Sequence, residues 1–224
     1  MTPPASVPPL VEACCDSVYT ARAAQQYGAG RVELCGPGTG GTTPSLGLIV
    51  RCRDELRIPL HVMIRPHTNS FRYDDDDVVV MCSDIVAAKS LGVDGIVLGP
   101  LHSDNTVDAQ QLAEFVAVAR PMKVAFHRAF DHTPDAFDAL DHLLMHGVDY
   151  VLTSGHSRTA LHGTSNLKAL QARAGSQLVV LAGGGVRADN VHRIIEQSDV
   201  REVHARATDP AIIRDLVRAW ETAK

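Results

Sequence analysis

Two short segments of the chain carry the same pair of reactive groups. Glu12-Ala13-Cys14 and Glu33-Leu34-Cys35 both spell Glu-x-Cys, inside the apolar runs VEACC (11–15) and RVELC (31–35). Alternate residues of an extended strand share a face, so each carboxylate points the same way as its thiol. A charge inside a strand covered on both faces is costly unless it is paired. Further ionisable groups lie in other apolar runs: Arg65 in LHVMIRP (60–66), His127 and Arg128 in KVAFHRAF (123–130), and His204 in EVHARA (202–207). If all of them face one interior, two carboxylates meet arginine and imidazole at low dielectric. Their pKa values then shift, which acid–base chemistry uses. On this reading Glu12 or Glu33 is the base and His127 its proton partner. Arg65, Arg128 and His204 complete the candidate catalytic set. The competing reading is an ion-pair network that fixes the packing and has no chemistry of its own.

The thiols support two readings as well. Cys14 and Cys35 occupy matching positions, and two facing thiolates suit a soft ion such as Cu(I). Buried cysteine is equally a small hydrophobe. No Cys-x-x-Cys occurs, and Cys15, Cys52 and Cys82 read as packing residues. A third cluster is rich in glycine. Gly183, Gly184 and Gly185 follow the apolar run QLVVLAGGG (177–185), and Thr153 and Ser154 end another, YVLTSG (150–155). Backbone N–H groups and hydroxyls so placed form a candidate anion site for phosphate, with Arg187 adding charge. A plain tight turn is the alternative. The His142/His146 pair has no third ligand in sequence, and the run Asp74–Asp77 reads as a helix start favoured by the dipole. His61 falls early in its run, at the end that serves stability.

The elements that must position these groups alternate. Eight strand-like runs, the seven named above plus GIVLGP (95–100) as the fourth in chain order, are separated by amphipathic stretches such as 17–27, 75–91, 134–146, 188–197 and 210–222. Asp16, Asp108, Thr133 and Asp189 are candidate helix caps, and Pro134 and Pro210 candidate first helical residues. Three helix exits repeat one pattern, Gly28-Ala29-Gly30, Gly92-Val93-Asp94 and Gly147-Val148-Asp149. Strand–helix units repeated eight times predict a single-domain α/β fold, the (β/α)8 TIM barrel, over 10–224, with residues 1–9 a disordered lead-in. Such barrels form their active sites at the carboxyl ends of the strands. A doubly wound sheet is disfavoured, because no Gly-x-Gly-x-x-Gly follows the first strand.

Composition narrows the setting. Of 224 residues, 45% are hydrophobic and the net charge is −5, which argues against a nucleic-acid surface. No apolar run reaches the ~20 residues of a membrane span. Met1–Pro9 lacks the pattern of a signal peptide. Five cysteines, an odd number, are read as reduced thiols in a cytoplasmic protein.

Seven blocks in order resemble one family: Val11–Ser17, Arg31–Cys35, Thr43–Gly47, Val62–Pro66, Phe126–Asp131, Leu152–Gly155 and Gly183–Arg187. They are similar to the CutC copper-homeostasis proteins from about Leu10 to His204. The resemblance implies a cytoplasmic (β/α)8 barrel, a homo-oligomer, and copper as the bound partner, with Cys14 and Cys35 as its thiol ligands. Three features depart from the family pattern: the extra thiol of Cys15, Ala182 in place of a frequent proline, and Ala205-Arg206-Ala207 after the eighth strand. Two functions follow as expectations. One is Cu(I) binding in copper homeostasis. The other is acid–base catalysis on a small anionic, for instance phosphorylated, ligand.

Overall fold

The structure is a computed structural model, and it describes residues 10–222. The expected lead-in, 1–9, lies outside the described residues. The element order is β1 (Leu10–Cys15), α1 (Val18–Gln26), β2 (Arg31–Leu34), α2 (Leu46–Glu55), β3 (Leu60–Met63), α3 (Asp75–Ser90), β4 (Gly95–Leu98) and α4 (Ala109–Ala119). It continues with β5 (Lys123–Phe126), a 3-10 turn (Arg128–His132), α5 (Ala136–Met145), β6 (Tyr150–Thr153), α6 (Thr164–Ala174), β7 (Val179–Ala182), α7 (Val191–Ser198), β8 (Glu202–Arg206) and α8 (Pro210–Thr222). Consecutive strands pair in parallel, and β8 pairs with β1 to close the ring. This is the expected (β/α)8 barrel.

Alternation along each strand divides the core in two. Val11, Ala13 and Cys15 join the large outer cluster between sheet and helices. Cys14, Cys35, Met63, Val97 and Ala125 form a separate inner cluster, with Tyr150 packed on it. The Glu-x-Cys face therefore points into the barrel, where few apolar side chains surround it.

Register sets the chemistry of the closing seam. Glu12 pairs with Arg31 of β2 on one side and His204 of β8 on the other; Cys14 likewise pairs with Glu33 and Arg206. Six polar or ionisable residues thus stand on three adjacent strands.

The repeated helix exits turn left-handed, with φ of +91° at Gly28 and +69° at both Gly92 and Gly147. Two of them end in an aspartate that ties neighbouring strands together. Asp94 accepts from the backbone N–H of Leu60 at 2.8 Å and from Arg53 at 2.6 Å. Asp149 accepts from Val124 N–H at 3.0 Å and from Arg120 and Lys123, each at 2.7 Å. These bonds stand where a bare strand start would leave donors unpaired.

Several boundaries differ from expectation. The fifth strand was expected to reach residue 130 and stops at Phe126, because His127 caps the 3-10 turn through its ring, Nδ1 accepting from Ala129 N–H at 3.2 Å. The seventh spans only Val179–Ala182. Ser17 rather than Asp16 caps α1, since its hydroxyl accepts from Thr20 N–H. Asp135 replaces Thr133 as the cap of α5, which starts at Ala136 and not Pro134. Asn190 rather than Asp189 precedes α7. Asp108 caps α4 and Pro210 opens α8. The acidic run is a helix start, with Asp74 and Asp77 forming a capping box.

Removing the strand tie at Asp149 leaves a strand N–H and two cations without their acceptor. Asp149→Ala is expected to lower the unfolding free energy by about 1–3 kcal/mol, read from the urea midpoint at constant slope; an unchanged midpoint contradicts the role given to this carboxylate.

Candidate functional site

The inward polar groups form two tiers. The lower lies at the amino end of the barrel, and its guanidinium and carboxylates are bonded to one another. Arg31 donates through Nε to Glu12 and through Nη2 to Glu202 at 2.7 Å. Its guanidinium lies 4.4 Å from the centroid of the Tyr150 ring. His61 completes the tier, with Nδ1 3.9 Å from the Glu12 carboxylate and its ring edge-on to Tyr150. Burial pushes the His61 imidazole down to about 4, with Glu12 opposing and Arg31 adding to the effect, so it is neutral near pH 7. Arg31 is hydrogen-bonded to both buried carboxylates, the pairing that makes a buried ion tolerable.

The upper tier faces the carboxyl ends of the strands. Cys14 Sγ and Cys35 Sγ are 3.6 Å apart, and His204 Nε2 is 2.7 Å from Glu33 Oε2. Donor atoms of Cys14, Glu33 and His204 all fall within 4.8 Å of one another. The Cys35 hydrogen bond, with His204 helping, holds the Cys14 thiol below its ordinary value against burial and the Glu33 charge. Cys35 is pushed well up, by that same bond and by burial. Of the two sulfurs, Cys14 is the more acidic and Cys35 the one that holds its proton more tightly. Burial alone would raise the Glu33 carboxyl and lower the His204 imidazole. Their mutual attraction overrides it, so Glu33 is held low and His204 high, as an ion pair.

Above this tier opens a cavity of about 540 Å³. Cys14, Glu33 and His204 form part of its lining, and Arg65, His127, Arg128 and Arg206 another part. Cys35 lies under Cys14 and is buried.

Of the residues expected to be catalytic, the barrel brings Glu33, Arg65, His127, Arg128 and His204 to one cavity. Glu12 does not join them. Its carboxylate is bound to Arg31 in the lower tier, 4.0 Å from His204 at the nearest. Nor does His127 pair with either glutamate; the expected base and proton partner are not in contact.

The expected anion donors also stand apart from the cavity. The carboxylate of Asp131 already fills the space beside Thr153 and Ser154. It accepts from Ser154 N–H at 3.0 and 3.1 Å, from the Thr153 hydroxyl and from His156 N–H at 3.2 Å. Arg128 reaches across to it, Nε to Oδ2 at 2.8 Å. Gly183 donates to Thr153 O at 2.9 Å, and Gly184 accepts from Ala160. Gly184 has φ +96° and packs against Ser154 and the Arg128 guanidinium, so a side chain there would be strained and would crowd Arg128. Gly185 accepts from the Asn190 side chain. The glycine run serves this internal salt link in the structure.

Sequence reasoning missed Arg31 and Glu202, Asp131, and Arg206. Period-two alternation could have found Arg31 and Arg206, since each shares a face with a residue that was singled out. Asp131 left no such mark, because a turn and not a strand carries it to Ser154. Among the described residues, His142 and His146 gather no third metal ligand.

The architecture and site define a (β/α)8 barrel with a thiol-bearing, charge-lined mouth. The family model described as "CutC family" matches residues 9–209. The mouse protein named copper homeostasis protein cutC homolog is 45% identical over 88% of this chain and 73% of its own length. A Salmonella schwarzengrund family protein CutC is 42% identical over 88% of this chain and 79% of its own. The crystal structure of the putative copper homeostasis protein CutC from Streptococcus agalactiae superposes with a TM-score of 0.83 at 32% identity, covering 88% of this chain and 97% of that one. The chain belongs to the CutC family.

The Glu33–His204 pair has a defined pH signature. Its contribution to stability is complete between the ordinary values of 4.5 for Glu and 6.5 for His. It is lost as pH falls through the lowered Glu33 value, and as pH rises through the raised His204 value. By NMR titration His204 should remain an imidazolium well above pH 6.5, and Glu33→Gln should return it to the neutral form near pH 7. A neutral His204 at pH 7 in the unmodified protein contradicts the pairing.

Proposed function

We propose that this chain is a cytoplasmic Cu(I)-binding protein of copper homeostasis, with Cys14 and Cys35 as its thiol ligands. The observation that carries the reading is the 3.6 Å approach of the two sulfurs, with Cys14 lining an open cavity and its thiol held below the ordinary value by the Cys35 hydrogen bond. Copper is cargo here, and the donor set fits it. Two soft sulfurs prefer Cu(I), and Glu33 and His204 stand beside them, the imidazole becoming a donor once it gives up its proton. The names of the mouse and streptococcal relatives point the same way. Five free cysteines, and, among the described residues, no helix long and apolar enough to cross a membrane, are consistent with the cytoplasmic assignment. The same proposal makes the chain a homo-oligomer. Exposed Val79, Val80 and Val86 on α3 support that part, and light scattering after gel filtration tests it.

Anaerobic titration with Cu(I) against a chromophoric chelator is the direct test. One equivalent should bind to the wild type and none with comparable affinity to Cys14→Ser/Cys35→Ser. Because Cys35 must give up its proton to ligate, the apparent affinity should rise by about tenfold per pH unit through neutrality. Equal retention of Cu(I) by the double variant refutes the assignment.

A further inference from the structure

The cavity has a second half that the thiols do not use. Arg65 is 4% exposed, and all of its side-chain hydrogen bonds go to backbone carbonyls, those of Thr39, Gly41 and Ser70. Its Nε has no acceptor, and Nη2 has only a long bond of 3.4 Å. The edge formed by these two nitrogens is the one that grips an oxyanion with two parallel bonds. His127 is also 4% exposed. Its Nδ1 accepts from Ala129 N–H, so the ring proton sits on Nε2, and that nitrogen has no partner either. Both side chains line the cavity.

Two unmatched buried donors are unusual in a folded protein, where such groups find partners. One aromatic ring lies over both. Phe71, on the connection after β3, has its centroid 4.6 Å from the Arg65 guanidinium and 5.0 Å from the His127 ring. Its face is the weak acceptor these donors now have. Phe71 is only partly buried and itself lines the cavity.

The charge balance of the mouth is the reverse of that of the whole chain. Arg65 and Arg206 line the cavity with no carboxylate bonded to them among the described residues, while Arg128 is paired with Asp131 and Glu33 with His204. The protein as a whole carries −5. A cavity of about 540 Å³ is too large for a bare ion and of a size that holds a small organic molecule. Met63, Leu152 and Ala129 give part of its wall an apolar surface for a carbon skeleton.

We propose that this mouth binds a small organic anion, its carboxylate or phosphate group held by Arg65 and His127 and attracted by Arg206. The site is distinct from the Cys14–Cys35 pair and does not depend on the copper reading. Phe71 covers the two donors in the free protein and swings off them when the oxyanion arrives. The neutral imidazole of His127, pushed down to about 3 by burial and by Arg65, donates its Nε2 proton without adding charge.

Calorimetric titration of the full chain with malonate and, separately, with glycerol 3-phosphate, which has no carboxylate, tests the site, lactamide serving as the neutral control. At least one anion should bind once per chain and lactamide should not; the arm that binds separates carboxylate from phosphate. Arg65→Lys keeps the charge and loses the two-pronged grip, so affinity should fall about tenfold or more. Arg206 is exposed, so Arg206→Gln should fold normally and weaken binding most at low salt. Cu(I) stoichiometry should be unchanged in both. Lack of binding by either anion at millimolar concentration overturns the proposal. So does an affinity that Arg206→Gln and a folded Arg65→Lys both leave unchanged.

Discussion

A closed ring of parallel strands allows no water to its lower interior, so every charge placed there needs a partner fixed by the backbone. Arg31 meets that demand. It holds Glu12 and Glu202 together across the point where β8 meets β1. With Arg31 bonded to both carboxylates of the lower tier, the level above carries the reactive groups. Two cysteine sulfurs, a carboxylate and an imidazolium share a small volume there, the last two paired with each other.

The mouth divides by chemistry as well as by strand. The seam of β8, β1 and β2 contributes sulfur, carboxylate and imidazolium. The ends of β3 and β5 contribute a guanidinium and a neutral imidazole, lightly covered by Phe71. Soft donors on one wall and hard cationic donors on the other suit two different occupants. An electrostatic attraction on the second wall also influences what approaches the first.

Much of this was legible in the residues. Eight apolar runs with glycine-marked exits specified the barrel, because each strand–helix unit repeats the same local physics. Glu33, His204 and Cys14 were legible because a strand's alternation converts sequence parity into a shared face. Glu12 was misplaced by the same rule: parity gives the face but not the height along the barrel, and one step down put it beside Arg31. His127 read as a strand residue, since nothing in its apolar neighbours shows that its ring will cap a turn. The filled state of Thr153 and Ser154 was illegible for a related reason. Asp131 reaches them through a 3-10 turn whose direction is set by tertiary packing, and an occupied donor cluster looks the same in sequence as a vacant one.

The position of the seam has a consequence for synthesis. His204 bonds to Glu33 across a separation of 171 residues, and β1 finds its second neighbour only in β8. During translation the two sulfurs emerge early, yet their imidazole neighbour and the wall that closes the ring arrive almost last. An unfinished chain, or one cut short before its final strand, offers loose thiols on an open sheet and no charged chamber. A ligand site built on this seam is therefore complete only once β8 has closed the ring.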